Sequence, residues 1–286
     1  MQELIFRFTR IGRVIDPRYP TNLAIMIWAG AGAALVFALR SASGDPLGAA
    51  VRDAFMAGVM LGIAWALARE LDPPQPIAAF VPVLLVSAAL LLTGPTADLL
   101  PLIYTIPTIR IINRFSGLPV TWGDSLLLLA FTAALCWWGD WTYAVPGVIA
   151  FALDALLPVP DRKQWLFAAL TAVIGAAAFV SAAGTPPAPT LPGIGHALIV
   201  LVAVLLFVPV IRRTGHSRIA GEITGEPLPP VRIQAGQLYV IFFLAYAVLW
   251  RGDAAMTGLL PVSLTLIGVA LYPLVRPLLP QRLQRL

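Results

Sequence analysis

The chain has 286 residues, 59% hydrophobic and only 12% charged, with a mean hydropathy of +0.86; soluble domains carry roughly 25% charged residues, so a soluble globular domain is excluded and a bilayer is the expected solvent. The formal charge of +5 comes almost wholly from arginine, Lys163 being the one lysine, and in so apolar a chain a basic excess marks loop orientation rather than a nucleic-acid surface. The lone Cys136 excludes an intramolecular disulfide and a cysteine metal cluster, and His196 and His216 lie far apart without clustered carboxylates, so neither a metal nor a cofactor is expected.

Residues 1–21 come first. Leu4, Phe8, Ile11 and Ile15 share one helical face while Arg7, Arg10 and Arg13 share another, the pattern of a basic amphipathic helix lying on the cytoplasmic leaflet. Ten apolar runs follow, near the ~20 residues that cross a hydrocarbon core: 22–39, 48–68, 77–93, 97–112, 125–139, 142–158, 165–183, 192–211, 237–251 and 256–275. The first is longer than a secretory signal core and lacks a clean small-residue cleavage site, so it reads as a retained helix.

The distribution of charge tests that number. With the N-terminus cytoplasmic, 16 of the 19 basic residues fall on inner segments, and only Arg40, Arg52 and Arg251 on the outer side. Omitting one span would invert every later loop and destroy the bias. The reading is therefore an all-α, multi-pass protein of a bacterial-type cytoplasmic (inner) membrane with about ten transmembrane helices and both termini inside. Trp137, Trp138, Trp141 and Trp250 mark outer span ends, and Trp65, Trp122 and Trp165 inner ones, as rings at headgroup level should; Trp28 is the exception.

The chain also echoes itself. Gly44-Asp45, Gly139-Asp140 and Gly252-Asp253 each follow an odd-numbered span, whereas Gly123-Asp124 falls on the inner side. Ordered matches run from Leu100-Pro101 with Leu191-Pro192, through Pro107 with Pro209, to Gly139 with Gly252, their offset growing from 91 to 102 to 113. Spans 3–6 (77–164) and 7–10 (165–286, with an inner loop 212–236 and a basic tail) then read as two copies of a four-helix unit, preceded by a two-helix half-unit (22–76). An even number of helices makes the copies parallel, related by an axis along the membrane normal.

Repeated helical units commonly enclose a site at their interface, and interrupted helices mark it. Span 4 is short and carries Pro101 and Pro107; a carbonyl freed by proline at Leu102 or Ile103 would open a polar pocket with Tyr104, Thr105 and Thr108. Arg110, Asn113 and Arg114 extend this substrate-binding set to the inner face. A charged interface is expected from Arg52, Asp53, Glu70, Asp72, Asp124 and Asp154. No zinc-protease, serine-hydrolase, nucleotide-loop or paired-aspartate motif occurs. The function expected is a carrier or permease for a small amphipathic or anionic solute. Two alternatives stand beside it: a membrane-embedded enzyme or subunit acting on lipid head groups at the cytoplasmic face, and a non-catalytic scaffold. The bilayer is the expected partner, with a small solute or a head group as ligand and nucleic acid excluded.

Overall fold

The computed structural model describes residues 8–13, 15–182, 189–278 and 280, and among these no strand forms. Ten helices coincide in order with the ten apolar runs: α1 (Pro20–Ala42), α2 (Leu47–Leu71), α3 (Phe80–Thr93), α4 (Leu99–Asn113), α5 (Trp122–Trp138), α6 (Ala144–Leu156), α7 (Gln164–Ser181), α8 (Ile194–Thr214), α9 (Pro230–Gly258) and α10 (Leu260–Val275). Short 3₁₀ turns at Pro76–Ala79 and Trp141–Tyr143 lead into α3 and α6, and one at Arg276–Leu278 follows α10. Seven of these segments are long and apolar enough to cross a membrane, which makes this a multi-pass membrane protein. The other three, α4, α5 and α6 with its leading turn, are shorter apolar helices, about 22–26 Å long at 1.5 Å per residue against a core of ~30 Å.

The short helices lie inward. Ten of the fifteen residues of α4 are buried, because α4 packs against α2, α5, α6 and α9. α4 and α9 form a central pair. On one side stand α5, α6 and α7, in mutual contact; on the other, α10 packs on α2, α3 and α8, and α1 covers α2. Outward faces of α1, α7 and α8 carry exposed Ile27, Val173 and Leu205, as lipid-facing helices should.

Contacts between loops sort by end. Connections that follow odd-numbered helices meet one another: Arg40, at the end of α1, lies against Gly94 after α3, Asp98 N–H donates to the Gly258 carbonyl at 3.1 Å, and Gly193 N–H to Asp253 at 2.7 Å. Loops that follow even-numbered helices, together with residues 8–13, meet at the opposite, arginine-rich end, as described below.

Two expectations change. Of the described residues ahead of Pro20 only Phe8 is helical, so no amphipathic helix runs through 9–19; Leu4 and Arg7 lie outside the described residues. Gly12 and Pro17 oppose a helix there, and the irregular backbone finds partners elsewhere: Arg10 N–H donates to Asp124 at 2.8 Å, the Ile11 carbonyl accepts from Arg110 at 2.8 Å, and Ile11 itself is buried. The segment is a strap across the bundle end rather than a helix on the leaflet. Helix α9 begins seven residues before the expected span and continues past Gly252, where φ of +58° breaks it. Only glycine accepts that conformation cheaply, and a Cβ there would stand 2.9 Å from the Thr190 carbonyl oxygen. The three Gly-Asp pairs share one end of the molecule but not one conformation: Gly44 is left-handed at +81°, while Gly139 closes α5 at φ −107°.

Candidate functional site at the arginine-rich end

Helices α2, α4, α6 and α8 all finish at this end, and each leaves carbonyls without intrahelical donors and a partial negative charge. Side chains from the facing helices supply the missing donors. Asn113 Nδ2 donates to the Glu70 carbonyl at 3.0 Å, and Gln237 Nε2 to the Leu71 carbonyl at 2.6 Å. Gln234 Nε2 donates to the Ile211 carbonyl at 2.9 Å, and Arg232 Nη1 to the Ile112 carbonyl at 2.8 Å. Much of the arginine and amide content of this end is thus explained by closing helix C-termini.

A buried ion cluster lies beneath. Asp154, in the last turn of α6, accepts from Arg114 Nε at 2.6 Å and Arg232 Nη1 at 2.9 Å, and all three side chains are buried. The guanidiniums also hold backbone: Arg232 Nε donates to the Pro158 carbonyl at 2.8 Å, and Arg114 Nη1 to that of Val159 at 2.7 Å. Val159 adopts φ of +60°, a costly conformation for a β-branched residue; two arginines grip its carbonyl and keep it there. The cluster ties α4, α6 and α9 together.

A second, half-open group surrounds Glu70. Its Oε1 accepts from Arg110 Nε at 2.8 Å and faces Arg13 at 3.5 Å, while Arg13 also pairs with Glu222 and lies over the Phe115 ring. Glu70 Oε2 is buried without a hydrogen bond. Beside it Arg69 stands over the Trp65 ring, 5.8 Å from its centroid, and both Arg69 Nε and Trp65 Nε1 are buried without partners. Asp72 pairs with Arg213, yet burial outweighs that partner and holds its carboxyl above the usual range. Asp124 closes a capping box with Thr121 at the start of α5 and receives the strap through Thr9 and Arg10.

The expected residues therefore divide. Arg110, Asn113, Arg114, Glu70, Asp72, Asp124 and Asp154 gather at this end. Arg52 and Asp53 lie at the opposite end, where Asp53 is bracketed by Arg40 and Arg52 at 3.0 and 2.9 Å. Tyr104, Thr105 and Thr108 are fully buried and bonded within the protein. The Tyr104 hydroxyl pairs with Thr132 at 2.8 Å, the ring packs edge-on against Phe131, and a Cβ on Gly147 would come within 3.0 Å of its oxygen. Thr105 bonds back to the Leu102 carbonyl at 2.7 Å and Thr108 to that of Tyr104 at 2.8 Å. The Leu102 carbonyl, one of the two expected to face a solute, is satisfied within α4 itself. An open apolar groove of about 400 Å³ does exist, but on the flank of α6 and α7 between Trp141 and Phe179, away from these hydroxyls.

Sequence reasoning missed Arg232, Gln237 and Trp65 as site residues. Arg232 and Gln237 carried a usable signal: Pro229-Pro230 is a helix-start pattern, which would have placed both side chains inside α9 instead of in a loop or at its edge. Comparison with protein-family models, with curated proteins and with solved structures finds no match to this chain.

Proposed function

We propose that the chain is a ten-span protein of a bacterial-type cytoplasmic membrane, with both termini inside, that holds the anionic head group of a lipid or amphipathic solute at its arginine-rich end. The supporting observation is the group around Glu70: three guanidiniums, Arg13, Arg69 and Arg110, against two carboxylates, Glu70 and Glu222. It lies where α2, about 37 Å long for 25 residues, emerges from a core of ~30 Å. Ten crossings are supported by the sorting of loop contacts into two ends, and the orientation by the basic excess on one of them. The four-helix repeat gains support from packing. In each set the second helix contacts the third and fourth and the third contacts the fourth, while the first packs outside its own set.

With Tyr104 enclosed, the carrier reading no longer rests on α4. One observation still favours it: α9 is interrupted at Gly252, and interrupted helices frame solute sites in transporters. Reconstitution separates the readings. Purified full-length protein in phosphatidylcholine nanodiscs doped with phosphatidylglycerol should retain the acidic lipid in native mass spectra. Equal retention of zwitterionic and acidic lipid would overturn the proposal. Flux of an anionic amphiphile into proteoliposomes would identify a carrier and a modified head group an enzyme; binding with neither would identify a scaffold.

A further inference from the structure

Trp65 and Arg69 lie one turn apart on α2, on the same face and at the end of the helix that reaches headgroup level. Trp65 is only 6% exposed, and its indole N–H, buried, has no acceptor. Arg69 Nε shares that condition, and the guanidinium's contact is the face of the same indole. Buried donors without acceptors are rare and costly, and the Glu70 and Glu222 carboxylates that act on Arg69 from a distance are shared with Arg13 and Arg110. The other arginines of the group are occupied: Arg110 by Glu70 and the Ile11 carbonyl, and Arg13 by Glu222. Among the described residues, three cations against two carboxylates leave one positive charge, and Arg69 is the member without a hydrogen bond. A partner that suits both donors and the surplus charge is an anion with several acceptor oxygens at headgroup depth. A phosphate satisfies this: two non-bridging oxygens match the guanidinium fork, and the indole N–H serves one of them or an ester oxygen. Phosphate is the anion that lipid head groups present at this depth, and its four oxygens leave an acceptor for Arg13 after fork and indole are met.

We propose that Arg69 and Trp65 form a phosphate-binding site, flanked by Arg13, for the phosphodiester of an anionic phospholipid. The site rests on the headgroup reading given above and names its ligand chemistry and its residues. The same chemistry is offered by a free phosphorylated solute, and the experiment separates the two. Full-length protein is placed in phosphatidylcholine nanodiscs containing a minor fraction of spin-labelled phosphatidylglycerol, and the immobilised fraction is titrated with and without glycerol 3-phosphate. Wild type should immobilise the labelled lipid. Arg69→Gln and Trp65→Phe should each weaken it by about tenfold or more, the value of one hydrogen bond to a charged group, and Arg69→Lys should fall between. Arg212→Gln, at an exposed arginine of the same end, should leave it unchanged. Displacement of the lipid by glycerol 3-phosphate would assign the same phosphate site to a soluble ligand. Thermal unfolding is followed in parallel, and Trp65→Phe, which keeps the ring's bulk, guards against a folding defect in the arginine variants. Wild-type immobilisation that survives both Arg69→Gln and Trp65→Phe would overturn this site and leave the headgroup reading standing; no immobilisation in the wild type would overturn both.

Discussion

Replacing Asp154 by asparagine removes the one negative charge between Arg114 and Arg232 while keeping the side chain's size. The two guanidiniums lie within 2.9 Å of the same oxygen, and neither is accessible to water. Their carbonyl partners remain, so the loss is chiefly that of the counter-ion. Breaking a buried ion cluster by removing one partner costs about 3–5 kcal/mol, roughly a fifth or more of a typical folding free energy of roughly 5–15 kcal/mol. The strained Val159 turn should loosen too, because the arginines that hold its carbonyl repel each other. The assay is reversible unfolding of the detergent-solubilised protein, comparing Asp154→Asn, Arg114→Gln and the double variant. The double variant, which restores the net charge of the cluster, should recover part of the loss, with a coupling of about 0.5–3 kcal/mol. A single-variant cost below about 1 kcal/mol, or strict additivity, would refute the idea that this cluster binds α4, α6 and α9 together.

Tyr104→Phe should cost about 0.5–1.5 kcal/mol of stability for one neutral hydrogen bond and leave phosphatidylglycerol retention unchanged; a loss of retention would return function to α4. Gly268 faces α3 so closely that a Cβ would meet Pro82 N at 2.6 Å. Since that atom is backbone, Gly268→Ala should destabilise by about 1–3 kcal/mol, and a neutral melting temperature would contradict the α3–α10 contact. Burial raises the Asp72 carboxyl, so its contribution to stability is present below the unfolded value near 3.9 and is lost as pH rises through the higher folded value. Asp72→Asn should remove that loss, seen as a wild-type minus variant difference that falls above about pH 4; a difference that grows instead would make the Arg213 pair dominant.

Helix positions were legible because each long apolar run is self-sufficient: a segment that must satisfy its own backbone in lipid declares itself by length and composition. What the runs conceal is where polar residues find partners. Thr105 and Thr108 read equally well as pocket lining or as back-bonded hydroxyls, and the choice depends on how tightly Phe131 and Gly147 close on Tyr104, which no local pattern encodes. Arg232 reads as loop and Gln237 as the edge of a span, because polar residues in a membrane chain usually sit there. Their real setting is a junction of helix ends, supplied by α2, α4 and α6 from far along the chain. The strap failed for the same reason: Ile11 and Arg10 are placed by Arg110 and Asp124, 99 and 114 residues away, against a strong local amphipathic pattern. Arg110, Arg114, Glu70 and Asp154 were recognisable as a group only because the alternation of spans put their loops on one side.

The most direct test is a cryo-EM map of the full-length protein in nanodiscs containing phosphatidylglycerol. The account predicts headgroup density against Arg69 and the Trp65 indole nitrogen, with acyl chains running along α2 and closed packing around Tyr104. An empty Arg69–Trp65 face together with solute-sized density beside α4 would contradict it.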